Sequence, residues 1–285
     1  MKVLVFGAKG WIGQQFINNT THEVIVASTR PENFVECRAE IRSVRPDSVC
    51  SFIGRTYGPT NPTIDYLEEP GRLYENMRDN FEAPVHLAEI CDELKIHYVY
   101  IGTGCIYTYT DDKKTFSEDD APNFFGSSYS IIKGFTDKEI RRFSTSLQLR
   151  IRMPITSNCS SRNLLDKLIN YKNVCSIPNS MTVLDDMWPI MDRMIMKGIT
   201  GVYNMVNPGV VEHKWILEQY KSIINPKHTW VDVSYEEQVK NIKSQRSNTE
   251  LTTVKLVDFC KENSIPLKNI QDAIHDCFVN RVSRS

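Results

Sequence analysis

The eight cysteines of this 285-residue sequence, Cys37, Cys50, Cys91, Cys105, Cys159, Cys175, Cys260 and Cys277, include no C-x-x-C pair. That argues against a structural zinc site and leaves free thiols, as expected in a reducing cytosol. Charge of one sign is missing too. The 34 Lys and Arg against 35 Asp and Glu give a formal net charge of -1. A broad electrostatic pull toward nucleic acid or membrane is therefore not expected, although a local basic groove for an anionic substrate is compatible with this balance. No uninterrupted apolar stretch is long enough to span a bilayer. Met1-Lys2 runs directly into an apolar strand, with no basic leader or cleavage site. Internal repeats, heptads and low-complexity linkers are absent as well. At 41% hydrophobic and 24% charged, the composition is that of a globular protein large enough for one domain or a domain with a smaller lobe.

Apolar, β-branched runs alternate with amphipathic ones through the first half. Strands are expected at Lys2 to Phe6, Glu23 to Ala27, Ser48 to Ile53, His97 to Gly102 and Ser146 to Arg152. Helices are expected at Trp11 to Asn18, Val35 to Val44, Glu75 to Leu94 and Tyr129 to Phe143. This alternation predicts an α/β fold, a Rossmann-like doubly wound parallel sheet covered on both faces. After Arg152 the pattern loosens. A helix is expected at Asn163 to Asn170, strands at Val174 to Ile177 and Val202 to Val206, and a helix at Leu184 to Met196. The expected organisation is a cofactor-binding domain over 1–152 and a smaller substrate lobe over 153–285, with some elements returning to the sheet.

Gly7, Gly10 and Gly13 lie between the first strand and the first helix. In that context glycine permits the turn, lets backbone approach a pyrophosphate, and lets helix pack on strand. The helix amino terminus then offers N–H groups to the phosphates. The loop as a whole, Gly7, Ala8, Lys9, Gly10, Trp11, Ile12 and Gly13, is read as a dinucleotide cradle. The second strand ends in Ala27-Ser28-Thr29-Arg30 and supplies no acid for ribose hydroxyls. Arg30 suits a 2′-phosphate, so NADPH is the expected cofactor, with NADH as the alternative.

Tyr129 and Lys133 stand four apart on one expected helix face. A nearby ammonium lowers the pKa of a phenol, and Lys133 is expected to do so for Tyr129. Thr103, at the end of the fourth strand, is placed to hydrogen-bond a substrate oxygen while Tyr129 donates a proton to a carbonyl. Cys105 lies two residues further on. It reads either as a small buried hydrophobe or as an acid/base group beside the same carbonyl.

Several segments together resemble one family: the glycine loop, Thr103-Gly104-Cys105-Ile106, Pro122-Asn123-Phe124 through Lys133, Arg152-Met153-Pro154-Ile155, Ile177-Pro178-Asn179-Ser180-Met181-Thr182-Val183, Asn207-Pro208-Gly209-Val210-Val211 and Arg246-Ser247-Asn248. The family is the bifunctional nucleotide-rhamnose epimerase-reductases of the extended short-chain dehydrogenase/reductase superfamily, also found as the carboxy-terminal half of plant rhamnose synthases. The resemblance implies conversion of UDP-4-keto-6-deoxyglucose to UDP-L-rhamnose with NADPH, with a separate dehydratase supplying the keto sugar. It ties Cys105 and Lys167 to epimerisation and places Asn80 near the nicotinamide. Asn163, Asn179, Arg246 and Asn248 become candidates to hold the substrate nucleotide. By analogy it implies a homodimer through the helices carrying Glu75 and Tyr129. Three alternatives stay open: a dTDP-4-keto-rhamnose reductase without epimerase activity, a GDP-fucose synthase, and a non-catalytic NADP-binding regulatory subunit. No metal is expected.

Overall fold

The computed structural model describes residues 1–240 and 242–283. Its amino-terminal part alternates β1 (Lys2–Phe6), α1 (Trp11–Asn19), β2 (Glu23–Val26), α2 (Phe34–Val44) and β3 (Ser48–Ser51). A 3₁₀ turn at Ile64–Glu68 follows. One long helical run then comprises α3 (Leu73–Met77), a π-helical turn at Arg78–Glu82, and α4 (Ala83–Leu94). Next come β4 (His97–Thr103), β5 (Thr115–Phe116), α5 (Ser128–Ile140) and β6 (Ser146–Ile151). The remainder contains α6 (Leu164–Leu168), β7 (Asn173–Val174), α7 (Leu184–Met196), β8 (Gly201–Asn204), α8 (His213–Ile223), β9 (Val231–Asp232), α9 (Tyr235–Val239), β10 (Glu250–Leu251), α10 (Val254–Glu262) and α11 (Ile270–Val282). Of the strand expected at Val174 to Ile177 only Val174 remains, paired within β7 to the two-residue β9.

The main sheet is parallel throughout, in the order β2-β1-β3-β4-β6-β8. Its strands read as continuous apolar runs because both faces are covered. Val3 and Val5 of β1 point to the face under α1 and α7, with Phe16, Trp188 and Met191. Leu4 and Phe6 point to the opposite face, with Ile41 of α2 and Leu87 of α4. The chain leaves β1 toward β2 and returns on the other side as β3. At such a reversal the flanking connections diverge and open a crevice at the carboxyl ends of the strands.

A second apolar cluster gathers Ile155, Leu165, Leu168, Val174, Met181, Ile216 and Ile274, all from beyond residue 152. The chain turns out of the sheet at Met153, whose φ of 43° is left-handed. The elements that return are α7, which packs over β1, β8, which extends the sheet, and α10, whose Leu256 and Phe259 join the sheet core.

Candidate active site

Gly7 has φ +81°, and a Cβ there would lie 2.8 Å from the Phe52 carbonyl carbon. A Cβ on Gly13 would sit 2.4 Å from the Gly7 oxygen. Only glycine lets β1, β3 and α1 close to this distance. Gly10 stands at the N-cap of α1 with no side-chain cap, so first-turn N–H groups face the crevice mouth without a side-chain acceptor. A cleft of about 290 Å³ lies there, lined in part by Gly7, Gly10, Ala27, Arg30, Gly54 and Arg55. Lys9 is exposed at the loop tip, whereas Trp11 and Ile12 pack against the sheet core behind it. The uncapped helix end, the glycine-only approach and the exposed Arg30 fit a dinucleotide with an additional phosphate.

Asn80 stands behind the Gly54-Arg55 segment. It is fully buried in the π-helical turn. Its amide accepts from the Arg55 N–H at 3.0 Å and donates to the Arg55 carbonyl at 2.9 Å and to Asn76 at 2.9 Å. It therefore holds the Gly54-Arg55 wall of the cleft and does not line the cleft itself. Arg55 is in turn held by Asp79 through its Nε at 2.5 Å.

Thr103, Cys105, Tyr129 and Lys133 come together where β4 ends beside α5. The Cys105 N–H donates to Thr103 Oγ1 at 3.0 Å. The half-buried Cys105 side chain packs in one cluster with Tyr129, Tyr66 and Leu67. Burial, then the neighbouring Cys105, raise the Tyr129 phenol, with a hydrogen bond to Thr103 opposing them. The expected lowering by Lys133 is not seen. The Lys133 amine donates instead to the Tyr100 hydroxyl and lies 4.7 Å from the centroid of that ring. Burial brings Lys133 down to about 7, against the pull of Asp137 and Cys105. Asp137 is itself paired with Arg150, which donates to it through Nε at 2.7 Å and Nη2 at 2.9 Å.

The 3₁₀ turn at 64–68 had no periodic signal, yet it packs against Tyr129 and Cys105 and reaches both Ser128 and Arg246. Glu68 accepts from Ser128 N–H and Oγ, each at 2.8 Å, and so fixes the start of the helix that carries Tyr129. The Tyr66 hydroxyl donates to Glu75 at 3.0 Å, and its ring lies under the Arg72 guanidinium. Asp65 grips Arg246 with both oxygens, at 3.0 and 3.1 Å. Burial opposes ionisation of Asp65, but hydrogen bonds from Arg246 and Ser244 win and hold its carboxyl below the usual range.

In the second lobe Lys167 is half-buried on α6. Burial, then the nearby Arg162, lower its amine. Arg162 reaches across to the loop after β3, donating to Thr56 at 3.0 Å and stacking 3.5 Å over the Tyr57 ring. The asparagines fare otherwise. Asn163 is fully buried, caps α6 through the Leu165 N–H and donates to the Thr156 and Asn158 carbonyls. Asn179 is buried and accepts from Arg152 at 2.6 Å and from the Thr249 N–H at 3.0 Å. It donates to Ile177 O and to the Asn248 side chain. The polar atoms of both amides are bonded within the fold. Asn248, half-exposed, is drawn into the same knot.

A solved structure, the UDP-rhamnose synthase of Acanthamoeba polyphaga mimivirus, superposes with a TM-score of 0.93 at 43% identity, covering 98% of this chain and 99% of that one. The bifunctional dTDP-4-dehydrorhamnose 3,5-epimerase/reductase of Arabidopsis thaliana is 37% identical over 262 residues, 89% of this chain and 85% of its own. The chain belongs to the rhamnose 3,5-epimerase/4-reductase family. A trifunctional UDP-glucose 4,6-dehydratase/epimerase/reductase from the same plant is also 37% identical, over 90% of this chain but 39% of the larger protein. A dTDP-4-dehydrorhamnose reductase from Bacillus anthracis shares the family's fold at 15% identity, with a TM-score of 0.82. No family model matches.

Proposed function

We propose that this chain inverts C3 and C5 of UDP-4-keto-6-deoxyglucose and reduces C4 with NADPH, giving UDP-L-rhamnose. One observation carries the reading: the Cys105 thiol shares a cluster with Tyr129 and is fastened through its backbone to Thr103. A carbonyl acidifies the hydrogens on both neighbouring carbons, and inversion needs a proton removed from one face and returned to the other. Cys105 serves one face and Lys167, its amine lowered by burial, the other. Tyr129, kept protonated by burial, gives its proton to the C4 oxygen, which Thr103 orients. Bound NADPH supplies the hydride. Gly7, Gly10 and the start of α1 hold its pyrophosphate, Arg30 its 2′-phosphate, and Lys133 its ribose. Arg246 is the cation for the substrate phosphates, steadied by Asp65.

Leu73 and Tyr74 on the long helical run and Phe135 on α5 are large exposed apolar side chains. They support a homodimer through this face. No helix among the described residues is long and apolar enough to cross a membrane. We read the chain as a cytoplasmic enzyme whose keto sugar comes from a separate dehydratase. The test is incubation with NADPH and the keto sugar, with the product resolved by NMR. A product with C3 and C5 unchanged, or no cofactor oxidation, refutes the reading.

A further inference from the structure

The end of β2 carries no acid, but an acid reaches it from α2. The Glu40 carboxylate accepts the Ser28 N–H at 2.7 Å, Ser28 Oγ at 2.7 Å, the Thr29 N–H at 3.0 Å and the Thr29 hydroxyl. An ionised carboxylate offers about four lone-pair sites, so these four donors occupy it fully. Burial opposes the charge, yet the hydrogen bonds from Thr29 and Ser28 prevail and hold Glu40 below its usual range. Its acceptors are therefore committed to the protein and closed to ribose hydroxyls. The same turn is tied at its far end, where the Arg30 carbonyl accepts the Asn33 N–H at 2.9 Å and the Asn33 side chain caps α2.

Three nearby arginines are committed as well. Arg38 and Arg42 both pair with Glu93, at 2.6 and 3.0 Å, and Arg78 pairs with Asp79 and Glu32. Arg30 lines the cleft and is exposed, and among the described residues no carboxylate pairs with it. We propose that Glu40 is a positioning residue for the 2′-phosphate subsite: it fastens the Ser28-Thr29 turn so that Arg30 stands at the cleft rim, ready for a phosphomonoester. This rests on the NADPH reading above and adds to it a residue that touches no cofactor atom.

The test measures binding of 2′,5′-ADP and of 5′-AMP to the full chain by titration calorimetry. The parent protein binds 2′,5′-ADP the more tightly. Glu40→Gln keeps the side-chain shape but removes the charge and half of the acceptors. It is expected to weaken 2′,5′-ADP roughly tenfold, the scale of a lost charge-assisted bond, and to leave 5′-AMP unchanged. Glu40→Asp, one methylene shorter, gives an intermediate loss and serves if the glutamine variant does not fold. An unchanged ratio of the two affinities in both variants, or an equal loss for both ligands, overturns the role of Glu40. Arg30→Ala separates the two failures. If it abolishes the preference while Glu40→Gln does not, Glu40 alone is wrong; if it leaves the preference intact, the subsite is not built on Arg30 and the role of Glu40 falls with it; a parent protein that binds 5′-AMP as tightly as 2′,5′-ADP refutes the NADPH reading itself.

Discussion

Polar side chains at the mouth of the sheet and polar side chains in the second lobe meet different fates. At the mouth, α1 starts without a side-chain cap, Arg30 has no carboxylate partner among the described residues, and Cys105 is half-buried beside Tyr129. In the second lobe Asn163 and Asn179 are buried and bonded through every polar atom to the fold. The difference is one of backbone. Regular strands and helices satisfy their own N–H and C=O groups and leave side chains at their ends for ligands. Irregular segments such as 152–163 and 177–183 must borrow side chains to satisfy theirs.

The sharpest way to break this contrast is to divide the mouth itself. Tyr129→Phe removes the acid and is expected to lower reduction by ~10²–10⁴-fold, while deuterium from D₂O still enters C3 and C5 of the keto sugar. Cys105→Ala should do the reverse, losing exchange while still reducing a substrate that is already epimerised. NMR of the sugar protons reads both. Equal loss of both activities in both variants would mean that thiol and phenol do not divide the chemistry.

Next in size, Asn179→Ala tests whether the second-lobe amides serve fold or substrate. It leaves the Arg152 guanidinium and the Thr249 N–H short of an acceptor inside the protein. A loss of about 1–3 kcal/mol in urea unfolding is expected, with KM for the nucleotide sugar unchanged. Asn163→Ala, which removes a helix cap, should cost about 1 kcal/mol with the same unchanged KM. A raised KM at unaltered stability would restore either amide to the substrate site.

This contrast also explains what could be read in advance. The glycine loop and the sheet were legible because periodicity fixes the strand and helix ends, and the same periodicity put Thr103 at the end of β4 and Tyr129 and Lys133 four apart on α5. Asp65, Tyr66 and Glu68 were not, since their 3₁₀ turn lies in an irregular stretch with no period to place it. Tyr100 was hidden for another reason. It reads as one more aromatic in a buried strand, and only the register of β4 against α5 turns its hydroxyl to Lys133. Asn163 and Asn179 matched the family pattern, but a motif does not distinguish a residue kept for ligand from one kept for backbone.

Lys133 carries the next smaller effect. Its folded value of about 7 lies below that of a free lysine, so near neutrality the amine is only partly charged. An anionic dinucleotide favours the ammonium, so binding takes up a proton. NADPH affinity should therefore weaken as pH rises through about 7. Calorimetry in buffers of different ionisation enthalpy checks this, and Lys133→Met should flatten the dependence. The sign for stability follows from the same shift. Above about 7 the unfolded chain keeps a proton that the native state has lost, so this residue makes stability rise with pH up to the free-lysine range.

The smallest change asks whether Tyr100 helps hold that amine. Tyr100→Phe keeps the buried ring and removes the hydroxyl that accepts from Lys133. A hydrogen bond of this kind is worth about 1 kcal/mol net, and more to a charged donor. Without it the ammonium is less favoured, so the pH at which NADPH affinity begins to weaken should move down, with KM for NADPH raised several-fold and KM for the sugar unaffected. A merely structural tyrosine would lower stability but leave that midpoint where it is. A variant whose affinity profile overlays that of the parent would leave Lys133 positioned by the fold of α5 alone.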